Sequence, residues 1–204
     1  MNTVSSQTRK YELKARAESQ RETRDTIAGA AAELHKELGV AKTTVAEIAR
    51  RAGVSRLTVY NHFADLNELI PACSAHYMAQ HPLPDFARDL ALEDPGERVG
   101  AVLGSLYAWY REAEPMFGKL FSDRATVPEL DRFMGQNIDR MLGELADDLT
   151  AAFGARGRRL VSLTALIRVA VDFFTWRRLT DGDLGDRAAA EVMAAAVSPL
   201  GTRK

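Results

Sequence analysis

Residues Thr44–Leu69 read TVAEIARRAGVSRLTVYNHFADLNEL, and this stretch decides the fold. Thr44 followed three residues later by Glu47 is a capping box, in which hydroxyl and carboxylate each accept an N–H that the first turn of a helix leaves free. Val45, Ile48, Ala49 and Ala52 then recur on one face as far as Gly53, a residue that takes the left-handed conformation of a helix end without a steric penalty. Ser55 caps a second short helix that runs through Tyr60 to His62 or Phe63. Asp65 starts a third, with Leu66, Leu69 and Ile70 as its first apolar contacts. Ala49 is small enough for the two short helices to approach closely, Val54 and Val59 fill the space between them, and Ile48 faces the helix before. Two helices around Ala52-Gly53-Val54-Ser55 form a helix-turn-helix, whose second helix offers its outer face to a DNA major groove.

The outward residues suit that task. Arg56 can bond guanine and Asn61 adenine, each through two hydrogen bonds, while Thr58, Tyr60 and His62 are short or rigid donors for phosphate oxygens or a thymine methyl. Thr44 brings a hydroxyl and a helix N-terminus to a further phosphate. The competing reading is a helical hairpin with a merely solvated face. Lys and Glu would be more usual there than Thr, Tyr, Asn and His.

Outward from this stretch the chain reads as all-α, with about nine helices. Residues 1–20 carry Arg9, Lys10, Lys14 and Arg16 against Glu12 and Glu18 with almost no apolar periodicity, and read as a flexible basic arm, or one that turns helical near its end. From Thr23, Ile27, Ala31, Leu34 and Leu38 mark a helix closed by Gly39. Residues 21–80 are then the DNA-binding domain, and His81-Pro82-Leu83-Pro84 breaks the pattern before a second domain over 81–204. In that domain the spacing predicts a helix from Pro95 through Tyr110, a short one over Pro115–Phe121, a long one over Leu130–Phe153, an apolar one over Arg158–Leu179, and an alanine-rich one over Asp186–Val197. Within that run, Leu160–Leu179 has about the length of a bilayer-spanning helix. Arg168 and Asp172 interrupt it, and at i, i+4 they are expected to pair along a helix buried in protein.

The chain of 204 residues has 46% hydrophobic and 27% charged residues, an ordinary globular balance. Its formal charge of −1 means that DNA binding must rest on a local basic surface. Cys73 is the single cysteine, which excludes an internal disulfide and a cysteine-rich zinc fold. The start of the chain has no apolar signal-peptide core, so a cytoplasmic location without membrane attachment is expected. His35, His62, His76 and His81 lack metal-ligand spacing, and no GxSxG, P-loop or GxGxxG occurs. Adjacent Asp147 and Asp148 point to different faces, and Cys73 has only His76 nearby in sequence. No catalytic residue, metal or cofactor is expected.

Over Ile27–Leu69 the chain resembles the DNA-binding domain of the TetR family of bacterial transcriptional regulators. The matching residues are Ala30-Ala31, Gly39, Thr43-Thr44-Val45, Ile48-Ala49, Ala52-Gly53-Val54-Ser55, Thr58-Val59-Tyr60-Asn61-His62-Phe63 and Glu68-Leu69. The resemblance implies base-facing positions at Arg56, Leu57, Thr58 and Asn61, and phosphate-facing ones at Thr44, Tyr60 and His62. It also implies a homodimer on a double-stranded operator, joined through the last two long helices, and a second domain that takes a small-molecule effector. A repressor released by that effector is the function implied. A DNA-binding regulator without such a switch, constitutive or partner-controlled and open to an activator's role, is the alternative. One residue departs from the family pattern: Leu66 stands where a backbone-contacting lysine is usual, with Arg21 and Arg24 as candidates to compensate.

In the second half, aromatic residues outnumber charges that must face inward, which favours a largely apolar, aromatic-containing effector held by one or two hydrogen bonds. Tyr107, Tyr110, Phe117, Asn137, Met141 and Phe173 are the expected lining. The same aromatics also make sense as ordinary core. Ala188-Ala189-Ala190 and Ala194-Ala195-Ala196 suit a close helix–helix dimer contact, or simply favour a helix.

Overall fold

A computed structural model describes the backbone of residues 3–201 and the side chains of residues 11–200. All its regular structure is helical among the described residues, and the chain divides into two compact units. The first holds the described residues to Gln80 together with Gly118–Phe133, and the second holds His81–Phe117 and the residues from Met134 onward. Residues 118–133, expected in the second domain, therefore pack with the first.

The first unit is built on α1 (Thr3–Leu38), α2 (Val45–Ala52), α3 (Arg56–His62) and α4 (Leu66–Gln80). α1 is the main departure from expectation. Helix takes in residues 3–20, the stretch expected as a flexible basic arm, and Met1 and Asn2 lie outside the described residues. Strong helix formers such as Ala, Glu, Lys, Arg and Gln carry this stretch without an apolar face. Burial begins further on, where Ile27, Ala31 and Leu34 turn inward to α4, which contributes Leu69, Ile70, Cys73 and Tyr77. His35 is buried against α4 with its Nδ1 3.5 Å from Cys73 Sγ, so His35, not His76, is the thiol's neighbour. Burial pushes the His35 pKa down to about 4 and the Cys73 thiol up to about 12, against which Asp123 pulls the histidine back upward. An inert, protonated thiol results.

The second unit contains the short α5 (Ala87–Leu90), most of α6 (Pro95–Asp123), α8 (Arg140–Ala151), α9 (Arg158–Ala170), α10 (Phe173–Thr180) and α11 (Asp186–Gly201), while most of α7 (Pro128–Met134) belongs to the first unit. α6 is one helix where two were expected. Pro115 lacks the N–H for a single helical bond, and the chain winds on around it. The expected Leu130–Phe153 helix is interrupted by a π-helical turn at Gly135–Asp139. Its extra residue per turn shifts the register of the side chains beyond it. Met134, Leu145 and Leu149 are buried, whereas Ile138 and Met141 are only half-buried and Asn137 is exposed. α11 runs past its expected end at Val197, through Pro199.

The expected Arg158–Leu179 helix is broken at Val171. Asp172 is extended and its carboxylate accepts the N–H groups of Phe174 and Thr175 at 2.9 and 3.0 Å, capping α10. Arg168 accordingly does not pair with Asp172 but with Asp147 of α8, at 3.3 Å. Two carbonyls left over at the end of α9 are taken by buried tyrosines: Tyr107 donates to Ala170 O and Tyr110 to Val171 O, both at 2.6 Å. Phe173 and Trp176 complete the cluster, with ring centres 5.4 and 5.7 Å from Tyr110. No helix among the described residues is long and apolar enough to cross a membrane.

Candidate nucleic-acid interface

The helix-turn-helix forms as its local signals dictate. Thr44 Oγ1 accepts the Glu47 N–H at 3.2 Å, and Glu47 Oε2 in return accepts the Thr44 N–H at 3.2 Å and the Thr44 hydroxyl at 2.8 Å. Gly53 is left-handed at φ 68°, its N–H reaching carbonyls of the last turn of α2. Ser55 Oγ accepts the Thr58 N–H at 3.0 Å. Ile48, Ala49 and Val59 are buried between the helices, and Val54 is half-buried. α3 is thus pinned at its start by a side-chain cap and through its middle by a single buried valine.

Its end is held by a residue from α1. The Arg24 guanidinium lies 4.0 Å over the Phe63 ring and donates to the His62 carbonyl. Arg24 is therefore committed to closing α3, which removes it as a free substitute for the missing lysine. At the head of α4, Leu66 is half-buried, and a cation nevertheless stands close: Arg132 of α7 donates to Asn67 Oδ1 at 2.7 Å. Asp65 takes the N–H groups of Asn67 and Glu68 and caps α4.

The seven expected DNA-facing residues divide by exposure. Arg56, Leu57, Tyr60 and Asn61 are exposed, with Leu57 at 69% and Tyr60 at 56%, so bulky side chains stand in water on this face. Thr58 and His62 are half-buried, and the Thr58 hydroxyl is hydrogen-bonded to Ser55 Oγ at 2.8 Å. Thr44 is exposed, but its hydroxyl proton is engaged by Glu47. Arg51 is occupied as well, making a two-pronged contact with Glu37 at 2.6 and 2.8 Å.

Asp123 is a residue that sequence reasoning missed. Its Oδ2 accepts the Ala41 N–H at 3.1 Å across 82 positions of sequence, fixing the loop that leads into α2. Gly39, at φ 88°, leaves room for that carboxylate. A preceding left-handed glycine is a signal for a close approach, but not for what approaches.

Of the expected effector lining, Tyr107, Tyr110, Phe117 and Phe173 come together as a closed cluster. Asn137 and Met141, displaced by the π-turn, do not share its burial. A separate cavity of about 370 Å³ is lined by Asp139, Leu142, Gly143, Arg168, Val171 and Asp172. A larger one, about 810 Å³, lies between α6 and α11. No cluster of three His, Cys, Asp or Glu side chains fit to hold a metal occurs among the described residues.

Residues 27–73 match the model of the bacterial regulatory proteins, tetR family. The chain is 44% identical over 79 residues to the HTH-type transcriptional regulator SrpR of Pseudomonas putida, a match covering 38% of this chain and spanning 36% of that relative's length. Among solved structures, it is similar to a TetR-like transcriptional regulator from Rhodococcus sp., with a TM-score of 0.59 and 17% identity over 86% of this chain and 93% of the other. The multidrug binding protein EbrR, complexed with imidazole, shares the fold at a TM-score of 0.51 and 20% identity, over 88% of this chain and 89% of the other.

Proposed function

We propose, for a chain whose residues 27–73 match the model of the bacterial regulatory proteins, tetR family, a homodimeric repressor that holds its operator through α3 and releases it on binding a small molecule. The DNA-binding half rests on one observation: a pinned helix presents Arg56, Leu57, Tyr60 and Asn61 to solvent. Arg56 and Asn61 can read guanine and adenine, and Tyr60 is placed for a phosphate. Selection of duplexes from a randomised pool tests this. Asn61→Ala costs about 1–3 kcal/mol on the selected site and relaxes preference there, while Tyr60→Phe weakens all sequences alike. An unchanged preference in Asn61→Ala would refute the docking.

Dimerisation through α9 and α11 is supported by apolar side chains left in water. Val161, Ala165 and Val169 follow one another at four-residue spacing along α9, and Val192, Ala195 and Ala196 are exposed on α11. Ala189 and Ala190 serve the chain's own core, so the outward alanines are the second group. Two-fold symmetry then sets the recognition helices on half-sites roughly 34–36 Å apart or a multiple of it.

The effector site we place at the cluster of Tyr107, Tyr110, Phe117 and Phe173. Val171 lines the neighbouring cavity and also gives its carbonyl to Tyr110, so a ligand there acts on the α9–α10 break. The cavity's Asp139, Arg168 and Asp172 favour an aromatic molecule that also carries a polar or charged group. Release follows by linkage, as the ligand favours a dimer whose α3 helices no longer match successive grooves. The complete burial of Tyr107 and Phe173 favours a second reading, a regulator without this switch. Thermal-shift screening with aromatic compounds separates the two.

A further inference from the structure

α3 is anchored unevenly along its length. Arg56 directly follows the Ser55 cap, and Val59, the one buried side chain of α3, holds the middle. After Val59 come Tyr60 and Asn61, both exposed, and His62, half-buried, so the last turn has no buried side chain beyond Val59. Phe63 is buried, but it is extended and lies past the end of the helix. The carbonyls of a last helical turn have no partner within their own helix. The His62 carbonyl finds one in Arg24 of α1, whose guanidinium also lies 4.0 Å over the Phe63 ring. A cation there suits the negative end of the helix dipole. Ile27 and Ala28, buried in the next turn of α1, fix the backbone from which Arg24 reaches across. No ion pair among the described residues draws the guanidinium elsewhere.

We propose that Arg24 is a positioning residue for sequence reading: by closing α3 it sets where Asn61 stands, without itself touching DNA. This rests on the reading of DNA by α3 given above and names what aligns it. Arg56 and Asn61 are five residues apart, about 7.5 Å along the helix axis, and so face different base pairs. A two-bond contact to a base is productive only when its donor is held to within about 0.5 Å. Loosening the end of α3 therefore costs Asn61 its base, while Arg56, beside the Ser55 cap, keeps its own.

The test uses the full chain, a duplex that it selects from a randomised pool, and single-base variants of that duplex. Arg56→Ala and Asn61→Ala mark the base pair that each residue reads. Arg24→Met keeps an unbranched apolar stem without the charge or the donors. It should lower discrimination about fivefold or more at the base pair marked by Asn61→Ala, the low end of what a two-bond contact supplies, and leave the Arg56 pair as it was. The slope of log K against log salt should not change, and Arg24→Lys, which keeps the charge and a donor, should restore discrimination. A slope lower by about 0.9 would make Arg24 a phosphate contact and overturn the inference. Intact discrimination at the Asn61 pair, whatever the stability, would leave Arg24 a support of the fold alone and overturn it too, as would equal loss at both pairs. Should Arg24→Met lose its cooperative melt, Arg24→Gln takes its place, and loss of the melt there as well assigns Arg24 to the fold and overturns the inference. All of these leave α3 as reader. Failure of the unmodified chain to enrich any sequence, or an unchanged preference in Asn61→Ala, overturns the α3 reading itself, and this inference with it.

Discussion

Replacing Gly39 by alanine tests how the loop before α2 is held. At φ 88° the backbone of Gly39 is left-handed, a conformation costing an L-residue roughly 1–2 kcal/mol. A Cβ there would fall far inside contact distance of Asp123 Oδ2, so the carboxylate must move. Moving it breaks the 3.1 Å bond from Ala41 N–H, a charge-assisted interaction of about 1.5–3 kcal/mol, with the lower end apt because the site is exposed and water can substitute. Gly39→Ala should therefore destabilise the chain by about 3 kcal/mol, a substantial part of a typical total of about 5–15. Urea unfolding followed by circular dichroism measures it. In an Asp123→Ala background the bond and the clash are both gone, and Gly39→Ala should cost only the backbone share. The two substitutions should thus couple by about 1–2 kcal/mol. Strict additivity, or a neutral Gly39→Ala, would show that the carboxylate does not lie over the glycine.

Two further outcomes are expected. Burial holds His35 neutral with a pKa of about 4, so below its ordinary value near 6.5 the unfolded chain takes up a proton that the folded chain refuses; stability should fall by about 1.4 kcal/mol per pH unit between 6.5 and 4, and His35→Leu should flatten that part of a stability–pH curve. Ala195→Glu, placing a charge on the exposed face of α11, should give monomers by sedimentation and lower operator affinity; a stable micromolar monomer of the unmodified chain would remove the dimer.

The first unit was legible because its signals are short-ranged. The Thr44–Glu47 box, Gly53 and the Ser55 cap each act within a few residues, and each forms as read. The same locality explains what was missed. Asp123 reaches Ala41, and Arg24 reaches His62, across distances that no spacing rule covers. The N-terminal half of α1 has a helix-forming composition without an apolar stripe, so periodicity does not announce it. In the second unit, Pro115 reads as a boundary but sits within a helix, while Asp172 reads as a charge in an apolar run but is a cap. The π-turn at Gly135–Asp139 has no residue type that announces it, and Asn137 within it and Met141 just after it do not share the burial of the aromatic cluster. At the interface itself, residue identity was readable but availability was not. Thr44 and Thr58 spend their hydroxyls within the chain, whereas Arg56, Leu57, Tyr60 and Asn61 stand exposed.

α3 spans seven residues and buries one of them, Val59, with its ends secured by Ser55 from before it and Arg24 from another helix. Folding and the proposed DNA reading thereby fall to different side chains. Substitutions at 56, 57, 60 and 61 remove no core contact and no cap, and surface changes of that kind usually shift stability by no more than about 0.5 kcal/mol. On the proposed reading, a lineage carrying this scaffold exchanges one operator for another by drift through those four positions without passing through unfolded intermediates. A library randomised there should yield mostly folded proteins of divergent sequence preference, which makes the chain a ready starting point for building regulators that do not cross-react.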